Sequence, residues 1–274
     1  MLEEKFIKEL IKTSADMWDK GWAERNAGNI TVRIDKDIIT ATDQLNFDGA
    51  WVMLEKPLPN LAGEYFLVSG TGKFLRNISV FPMRNLGMIE IDENGASYRI
   101  IWGYEGGGEP TSETPAHLQA HSVRKKITDG VDRVVIHTHT PNLIALTYAL
   151  DLDTPRLTQL LWKMHVECPV VFPKGVEFLP WMMAGSQEIA DATAKAFYKR
   201  DIVMWQHHGV FATGRNLDTA FGLIDTVEKA SDIYIKTATI GGVKNEPSLD
   251  TLISIARNFG LELAEDIIEH LRKN

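Results

Sequence analysis

The sequence lacks the features that mark secreted, membrane-spanning and nucleic-acid-binding proteins. Its 274 residues include one cysteine, Cys168, so no intrachain disulfide framework exists. No segment approaches the roughly 20 consecutive apolar residues of a membrane helix, and the charged N-terminus is unlike a signal peptide. Acidic residues outnumber basic ones by 37 to 29, which argues against a general affinity for nucleic acid or anionic membranes. We expect a cytoplasmic globular protein whose partners are small molecules and copies of itself.

The chain also lacks repeats, low-complexity tracts and linkers, which predicts a single domain over residues 1–274. Short strand-like runs come early and mix with helices later. The predicted strands are "NITVRI", "EYFLVSG", "GMIEID", "SYRIIWG", "DRVVIH", "CPVVF" and "IVMWQ". The segment "HHGVFATG" after the last of them is predicted to form a turn. Amphipathic spacing predicts helices in segments such as "FIKELIKTSADMW" and "TPRLTQLLWKMH". This pattern indicates an α/β or α+β protein with one central sheet of mixed strand direction.

Two histidines close the apolar run in "VVIHTHTPNLIAL". Residues i and i+2 of a strand point to the same face, so His137 and His139 are expected to lie side by side. Imidazole suits zinc and neighbouring transition metals, and a catalytic zinc usually has three protein ligands. A third ligand is therefore needed before this pair forms a metal site.

Two segments offer that ligand. In "MWQHHGVF", His207 and His208 follow an apolar run much as the first pair does, and we expect one of them to be a ligand because they face opposite ways. In "SETPAHLQAH", Glu113, His117 and His121 are spaced four apart and share one helix face. These two histidines are either a second half-site or packed, hydrogen-bonded residues. The N-cap of this helix is expected at Ser112 or Thr111.

Motifs along most of the chain resemble the class II aldolase and adducin family. They are "ERNAGNITVR", "LVSGTGKFLRN", "PTSETPAH", "HTHTPNLIALTY", "WKMHVECPVVFP", "HHGVFATG" and "FGLIDTVEKA". The resemblance implies a three-layer α-β-α domain with a largely antiparallel sheet. It also implies one metal ion per subunit, bound by His137, His139 and His208. Zinc is the ion expected from the family, and cobalt or another divalent ion can occupy the same ligands. The resemblance further implies a homotetramer with active sites at subunit boundaries.

The same resemblance implies the reversible cleavage of L-rhamnulose 1-phosphate into dihydroxyacetone phosphate and L-lactaldehyde. The negative charge of an enediolate would be stabilised by the metal. Glu113 matches the catalytic carboxylate of the family, which transfers a proton at the hydroxymethyl carbon. Glu167 is a candidate for the second proton transfer, because a carboxylate beside a buried strand can have a raised pKa.

The substrate phosphate needs a local site, since the overall charge of −8 offers no diffuse attraction. Small residues let backbone N–H groups approach an anion, and a helix N-terminus adds a favourable dipole. The family binds phosphate at the matching positions of this chain, which are Asn26, Asn29, Thr71, Gly72 and Ser112.

Three other functions compete with an aldolase. Ribulose-phosphate 4-epimerases of the same family share the metal chemistry, but they carry aspartate where this chain has Glu113. Adducin-like binding modules lose metal ligands, whereas all three histidines are present here. A metal-dependent hydrolase is the third, because a three-histidine site can activate water.

Overall fold

The computed structural model describes residues 1–2, 4–41 and 44–273. Within these residues the strands form one nine-stranded sheet. The strands are β1 Asn29–Ile34, β2 Val52–Met53, β3 Tyr65–Ser69, β4 Leu86–Ile91, β5 Ser97–Gly103, β6 Val134–Thr138, β7 Glu177–Leu179, β8 Ile202–Trp205 and β9 Gly209–Gly214.

The sheet has the strand order β2-β5-β4-β3-β1-β6-β9-β8-β7. β1 pairs antiparallel with β3 and with β6, and β3, β4 and β5 continue the antiparallel pattern. β8 pairs antiparallel with β9 but parallel with β7. The prediction of a mixed, largely antiparallel sheet flanked by helices is therefore confirmed.

The helices account for most of the remaining regular structure in the described residues. They are α1 Lys5–Asp19, α2 Lys36–Thr40, α3 Pro82–Asn85, α4 Thr114–Ile127, α5 Pro141–Ala149, α6 Thr154–Met164, α7 Cys168–Val171, α8 Gln187–Ala196, α9 Leu217–Thr239, α10 Leu249–Asn258 and α11 Glu265–Lys273. Short 3-10 turns cover Pro59–Leu61 and Leu75–Asn77.

β1 and β6 are buried along their whole length. Their side chains therefore face packed structure on both sides of the sheet, which allows polar residues only where they find partners. Asn29 and Thr31 on β1 and His137 on β6 are such residues, with exposed fractions of 8%, 0% and 1%. Since Asn29 lies opposite His137 in the strand register, these polar side chains come together at one end of the strand pair.

Helix α4 begins later than the sequence indicates. Its first helical residue is Thr114, with Glu113 at the N-cap position, so the N-cap expected at Ser112 or Thr111 is wrong. The reason is a turn before the helix, in which Thr114 donates its backbone N–H and its hydroxyl to the carbonyl of Thr111, at 2.9 and 2.6 Å. Pro115 lies in the first turn, where the missing N–H leaves no bond unmade.

Two other elements differ from the sequence prediction. The segment "CPVVF" forms the short helix α7 rather than a strand, with Pro169 in its first turn, where proline is well tolerated. The segment "GVFATG" forms the buried strand β9 rather than part of a turn. Its run of small and β-branched residues pairs along β8, and this long-range pairing outweighs the turn tendency of its glycines.

Contacts between Cα atoms divide the chain into two compact units. One contains Met1–His139, Met182–Tyr198 and Thr213–Ala220, and the other contains Thr140–Trp181, Lys199–Ala212 and Phe221–Asn274. The first holds a core cluster formed by residues on β3, β4 and α4 and in the loop before β3. In the second, α6 packs against β7 and α11, and α10 packs against α7. The single domain over residues 1–274 stays a prediction.

Candidate functional site

His137 and His139 lie at the C-terminal end of β6, as their position after an apolar run indicates. Their ring centroids are 5.3 Å apart with an interplanar angle of 71°. His137 is buried, whereas the side chain of His139 is 21% exposed. The two rings therefore lie side by side at the end of the strand, with His139 nearer to solvent.

His208 completes a cluster of three imidazoles. One ring nitrogen from each of His137, His139 and His208 lies within 4.8 Å of the others. Nitrogen atoms bound to one tetrahedral zinc ion are typically about 3.3 Å apart, given Zn–N distances of about 2.0 Å. Small side-chain adjustments close that gap, so the donor set fits a divalent transition metal.

His207 and His208 lie in the turn between β8 and β9, and their side chains have different surroundings. His207 adopts a φ of +62°, in the left-handed region. Its ring stacks on Tyr148 at 4.1 Å, and its Nδ1 is 3.1 Å from the Thr147 hydroxyl. His207 is thus engaged elsewhere, which supports the expectation that one histidine of the pair is a metal ligand.

A carboxylate orients His139. Glu24 Oε1 lies 2.8 Å from His139 Nδ1. Because an ionised carboxylate only accepts, Nδ1 carries the hydrogen and Nε2 keeps the lone pair that a metal needs. Sequence reasoning assigned no role to Glu24, although it stands in the "ERNAGN" motif, where a conspicuous carboxylate precedes two asparagines.

Glu113 lies beside this cluster and is 8% exposed. Its Oε2 is 3.5 Å from His137 Nε2 and accepts a hydrogen bond of 2.8 Å from Asn29 Nδ2. Burial raises the pKa of Glu113 above its ordinary value, while the Asn29 hydrogen bond and His139 act in the opposite direction. The carboxylate is therefore shielded from bulk water and next to the proposed metal ligands, the arrangement that a general base needs.

His117 and His121 are buried and hydrogen-bonded, as one of the two interpretations of their spacing expects. Thr31 Oγ1 lies 2.9 Å from His117 Nδ1 and 2.8 Å from His121 Nε2. Burial lowers the pKa of His117 to about 3 and the pKa of His121 well below its ordinary value. Both imidazoles are therefore neutral at pH 7, and they lie in the interior rather than forming a second half-site.

The predicted phosphate-binding positions fall on neighbouring turns. An isolated bridge pairs Gly70 with Pro110, and the backbone N–H of Thr71 donates to the Glu109 carbonyl at 2.9 Å. This pairing holds the turn containing Thr71 and Gly72 next to the turn before α4. Thr71, Gly72 and Ser112 are exposed there.

The two asparagines differ from each other. Asn26 is exposed in a turn, whereas the amide of Asn29 is buried against Glu113 and His117. Gly28 makes the entry to β1 possible, because it has a φ of +78° and a Cβ there would be 3.1 Å from Leu75. Phosphate binding by these five residues stays a prediction.

Glu167 lies at the N-cap position of α7. It is exposed and precedes the first turn of α7. The environment expected for it, a carboxylate beside a buried strand, is wrong, because the segment that follows is helical. Its role in proton transfer stays a prediction.

Another carboxylate that sequence reasoning missed holds the helix after the histidine pair. Glu228 on α9 accepts hydrogen bonds from the backbone N–H groups of Asn142 and Leu143, at 3.0 and 2.9 Å. N–H groups in the first turn of a helix have no acceptor within the helix, and a negative charge is favourable at that end. The "FGLIDTVEKA" motif supplies this residue, and its helical spacing alone gave no sign that Glu228 is buried.

Comparisons with known proteins show the family of this chain. The model of the family described as Class II Aldolase and Adducin N-terminal domain matches residues 8–235. A rhamnulose-1-phosphate aldolase from Citrobacter koseri is 46% identical over 93% of this chain and 94% of its own length. One from Mannheimia succiniciproducens is also 46% identical, over 96% of this chain and 97% of its own length.

Solved structures share the fold. A sugar-phosphate aldolase from Thermotoga maritima superimposes with a TM-score of 0.76 and 27% identity, covering 87% of this chain and 97% of that one. An L-fuculose 1-phosphate aldolase gives a TM-score of 0.61 at 20% identity, covering 95% and 99%. In the part of the chain that the structure describes, no helix is both long and apolar enough to cross a membrane.

Proposed function

The chain belongs to the class II aldolase and adducin family, and on this premise we propose that it reversibly cleaves L-rhamnulose 1-phosphate into dihydroxyacetone phosphate and L-lactaldehyde. The observation that carries the proposal is the buried carboxylate of Glu113, 3.5 Å from His137 in a three-histidine cluster. Relatives named as rhamnulose-1-phosphate aldolases, identical at nearly half of the aligned positions, support the choice of substrate.

His137, His139 and His208 would hold the metal, and zinc is the ion we propose. When bound, a divalent cation supplies a Lewis acid that lowers the energy of negative charge on the substrate oxygens. Three imidazoles leave room for a substrate oxygen, as in catalytic rather than structural zinc sites. The hydrogen bond between Glu24 and His139 prepares one ligand in the required tautomer.

Glu113 would perform the proton transfer at carbon. In synthesis it takes a proton from the hydroxymethyl carbon of dihydroxyacetone phosphate, and in cleavage it returns that proton. Its burial keeps water from replacing Glu113 as the proton donor to the substrate carbon. The hydrogen bond from Asn29 fixes one carboxylate oxygen. A second group must exchange a proton with the C4 hydroxyl, and Glu167 is our candidate.

The phosphate would be bound by the turns around Glu113. Thr71, Gly72 and Ser112 are accessible and stand on turns that the Gly70–Pro110 bridge brings together. Asn26 and Asn29 flank Gly28 at the start of β1. Neutral donors of this kind suit a chain whose net charge is −8.

We further propose that the enzyme is a cytoplasmic homotetramer, as the family resemblance implies. The mass of the enzyme in solution, measured by light scattering, tests the assembly. A mass near four times the 30.7 kDa of the chain is expected, and a monomer would contradict it.

A coupled assay tests the reaction. Reduction of the dihydroxyacetone phosphate released from L-rhamnulose 1-phosphate is followed before chelation, after it, and after metal is returned. We expect activity that disappears with the metal and is absent from His139→Ala and Glu113→Ala. Activity that survives chelation and both substitutions would contradict the proposal. Interconversion of pentulose phosphates without cleavage would identify a 4-epimerase instead, and metal binding without either reaction would identify a binding module.

A further inference from the structure

A chain of buried hydrogen bonds leads from the interior to the proposed catalytic carboxylate. It begins at His121, passes through Thr31 to His117, continues to the Asn29 amide and ends at Glu113. All five residues are buried, with exposed fractions between 0% and 8%. They come from β1, from α4 and from the N-cap of α4, so these hydrogen bonds link the strand to the helix.

The carboxylate fixes the direction of every bond in this chain. An ionised Glu113 only accepts, so the atom of Asn29 that faces it must be the NH2 group. The amide oxygen then faces His117 Nε2, which must carry a hydrogen in order to donate. Because His117 is neutral, its Nδ1 is an acceptor.

The donors and acceptors in the two hydrogen bonds of Thr31 follow from these assignments. Thr31 has a single hydroxyl hydrogen, which it donates to His117 Nδ1 over 2.9 Å. The Thr31 oxygen must then accept from His121, so His121 carries its hydrogen on Nε2. One arrangement of hydrogens satisfies all four of these hydrogen bonds.

We propose that Thr31, His117 and His121 are positioning residues that lock the Asn29 amide with its N–H toward Glu113. If Asn29 rotated by half a turn, its oxygen would face the carboxylate and repel it. The locked amide therefore holds Glu113 in the orientation from which it reaches the substrate carbon. The kinetic part of this inference rests on the proposed aldolase function, whereas the hydrogen positions do not.

Thr31→Val and Thr31→Ser separate positioning from packing. Valine keeps the shape and the β-branching of threonine but lacks the hydroxyl, whereas serine keeps the hydroxyl and loses a methyl group. We expect Thr31→Val to lower kcat for cleavage about 10- to 100-fold, as small misplacements of a catalytic group do. Thr31→Ser is expected to remain within about threefold of the wild type, since it restores the bond.

A matched control is available in the same compact unit. Thr213 on β9 is buried, with 2% exposure, and its hydroxyl has no hydrogen-bond partner among the described residues. Thr213→Val should leave kcat unchanged. A packing role for Thr31 predicts the opposite order, with serine worse than valine, and that order in folded, metal-loaded variants would overturn the inference.

A partial reaction isolates the proton transfer. Exchange of the hydroxymethyl hydrogen of dihydroxyacetone phosphate with solvent deuterium requires Glu113 but no aldehyde. We expect Thr31→Val to slow this exchange by the same factor as cleavage. Exchange at the wild-type rate in Thr31→Val would overturn the inference and leave the proposed aldolase function unaffected.

Neutron diffraction from the deuterated wild-type enzyme keeps the inference testable if Thr31→Val does not fold. We expect deuterium on Nε2 of His117, on Nε2 of His121, and on Thr31 Oγ1 in the direction of His117. Deuterium on Nδ1 of His117, or an Asn29 amide with its oxygen toward Glu113, would overturn it. If deuterium is found at the expected positions but the enzyme cleaves no sugar phosphate, the proposed function is contradicted and the inference about the hydrogen positions stands.

Discussion

The two histidine pairs of this protein use the same side chain in opposite ways. His137 and His139 stand two residues apart at the end of a strand, and their rings join that of His208. His117 and His121 stand four apart on a helix, and both rings turn inward to the hydroxyl of Thr31. Spacing gives each pair a shared face, but the partners available on that face decide between a metal site and a hydrogen-bond chain.

The pairs also differ in electrostatic surroundings. A carboxylate lies beside each histidine of the strand pair, with Glu113 near His137 and Glu24 bonded to His139. The helix pair has neutral partners, and burial lowers the pKa of both imidazoles. A divalent cation is favoured where carboxylates are close, so the strand pair suits it and the helix pair does not.

The largest expected effect on activity comes from Glu113, which lies beside His137 of the strand pair and accepts a hydrogen bond from Asn29, the partner of His117 in the helix pair. Glu113→Gln keeps the size of the side chain but removes the base, so we expect kcat for cleavage to fall about 10³-fold, within the usual range for a general base. Metal content should remain that of the wild type. Glu105→Gln, a change at an exposed glutamate, is the control. Similar kcat values for the two variants would contradict the role given to Glu113.

Acid sensitivity is the next largest effect and belongs to the helix pair. The pKa of His117 is about 3 in the folded protein and about 6.5 when unfolded, so the unfolded state binds more protons between these values. Its neutral form therefore supports the fold above pH 6.5, and this support is lost as the pH falls below it. At pH 5 the loss from His117 is about 2 kcal/mol.

Urea unfolding at pH 7 and pH 5 measures this loss. His117→Asn lacks the titrating ring, so its free energy of unfolding should fall less on acidification than that of the wild type. The difference between the two falls is expected to be about 2 kcal/mol. Equal falls would show that His117 does not carry the effect.

The smallest expected effect concerns the orientation of His139. Glu24→Ala removes the acceptor of the Nδ1 hydrogen and should weaken metal binding about tenfold, the lower end for such partners because the Glu24 side chain is exposed. Competition with a chromophoric chelator gives the metal Kd. Glu24→Gln, which retains an acceptor oxygen, should recover part of the affinity. Unchanged affinity in Glu24→Ala would mean that the ring is held by other contacts.

Much of this arrangement was predictable because it depends on local pattern. Alternation along β6 places two histidines on one face, and the motifs of the family supply Glu113 and His208. Six of the nine strands in the described residues, β1, β3, β4, β5, β6 and β8, and the long helices follow from short-range periodicity. Even α10, which we did not predict, carries a visible N-cap signal, since Ser248 accepts the backbone N–H of Thr251.

The rest depends on partners distant in sequence. Thr31 reaches His117 and His121 across 86 and 90 residues, and Glu24 reaches His139 across 115. No local signal distinguishes a threonine that bridges two imidazoles from any other threonine in a buried strand. The strand β9 was missed for the same reason, because its pairing with β8 outweighs the local preference of its sequence for a turn.

Metal content tests most directly whether the strand pair, and not the helix pair, binds the metal. It is measured by plasma mass spectrometry on the wild type, on the double variant His137→Ala/His139→Ala, and on the double variant His117→Gln/His121→Gln, each confirmed as folded by circular dichroism. We predict about one divalent ion per chain in the wild type and in the helix-pair variant, and none in the strand-pair variant. Metal retained by the strand-pair variant and lost from the helix-pair variant would contradict the account.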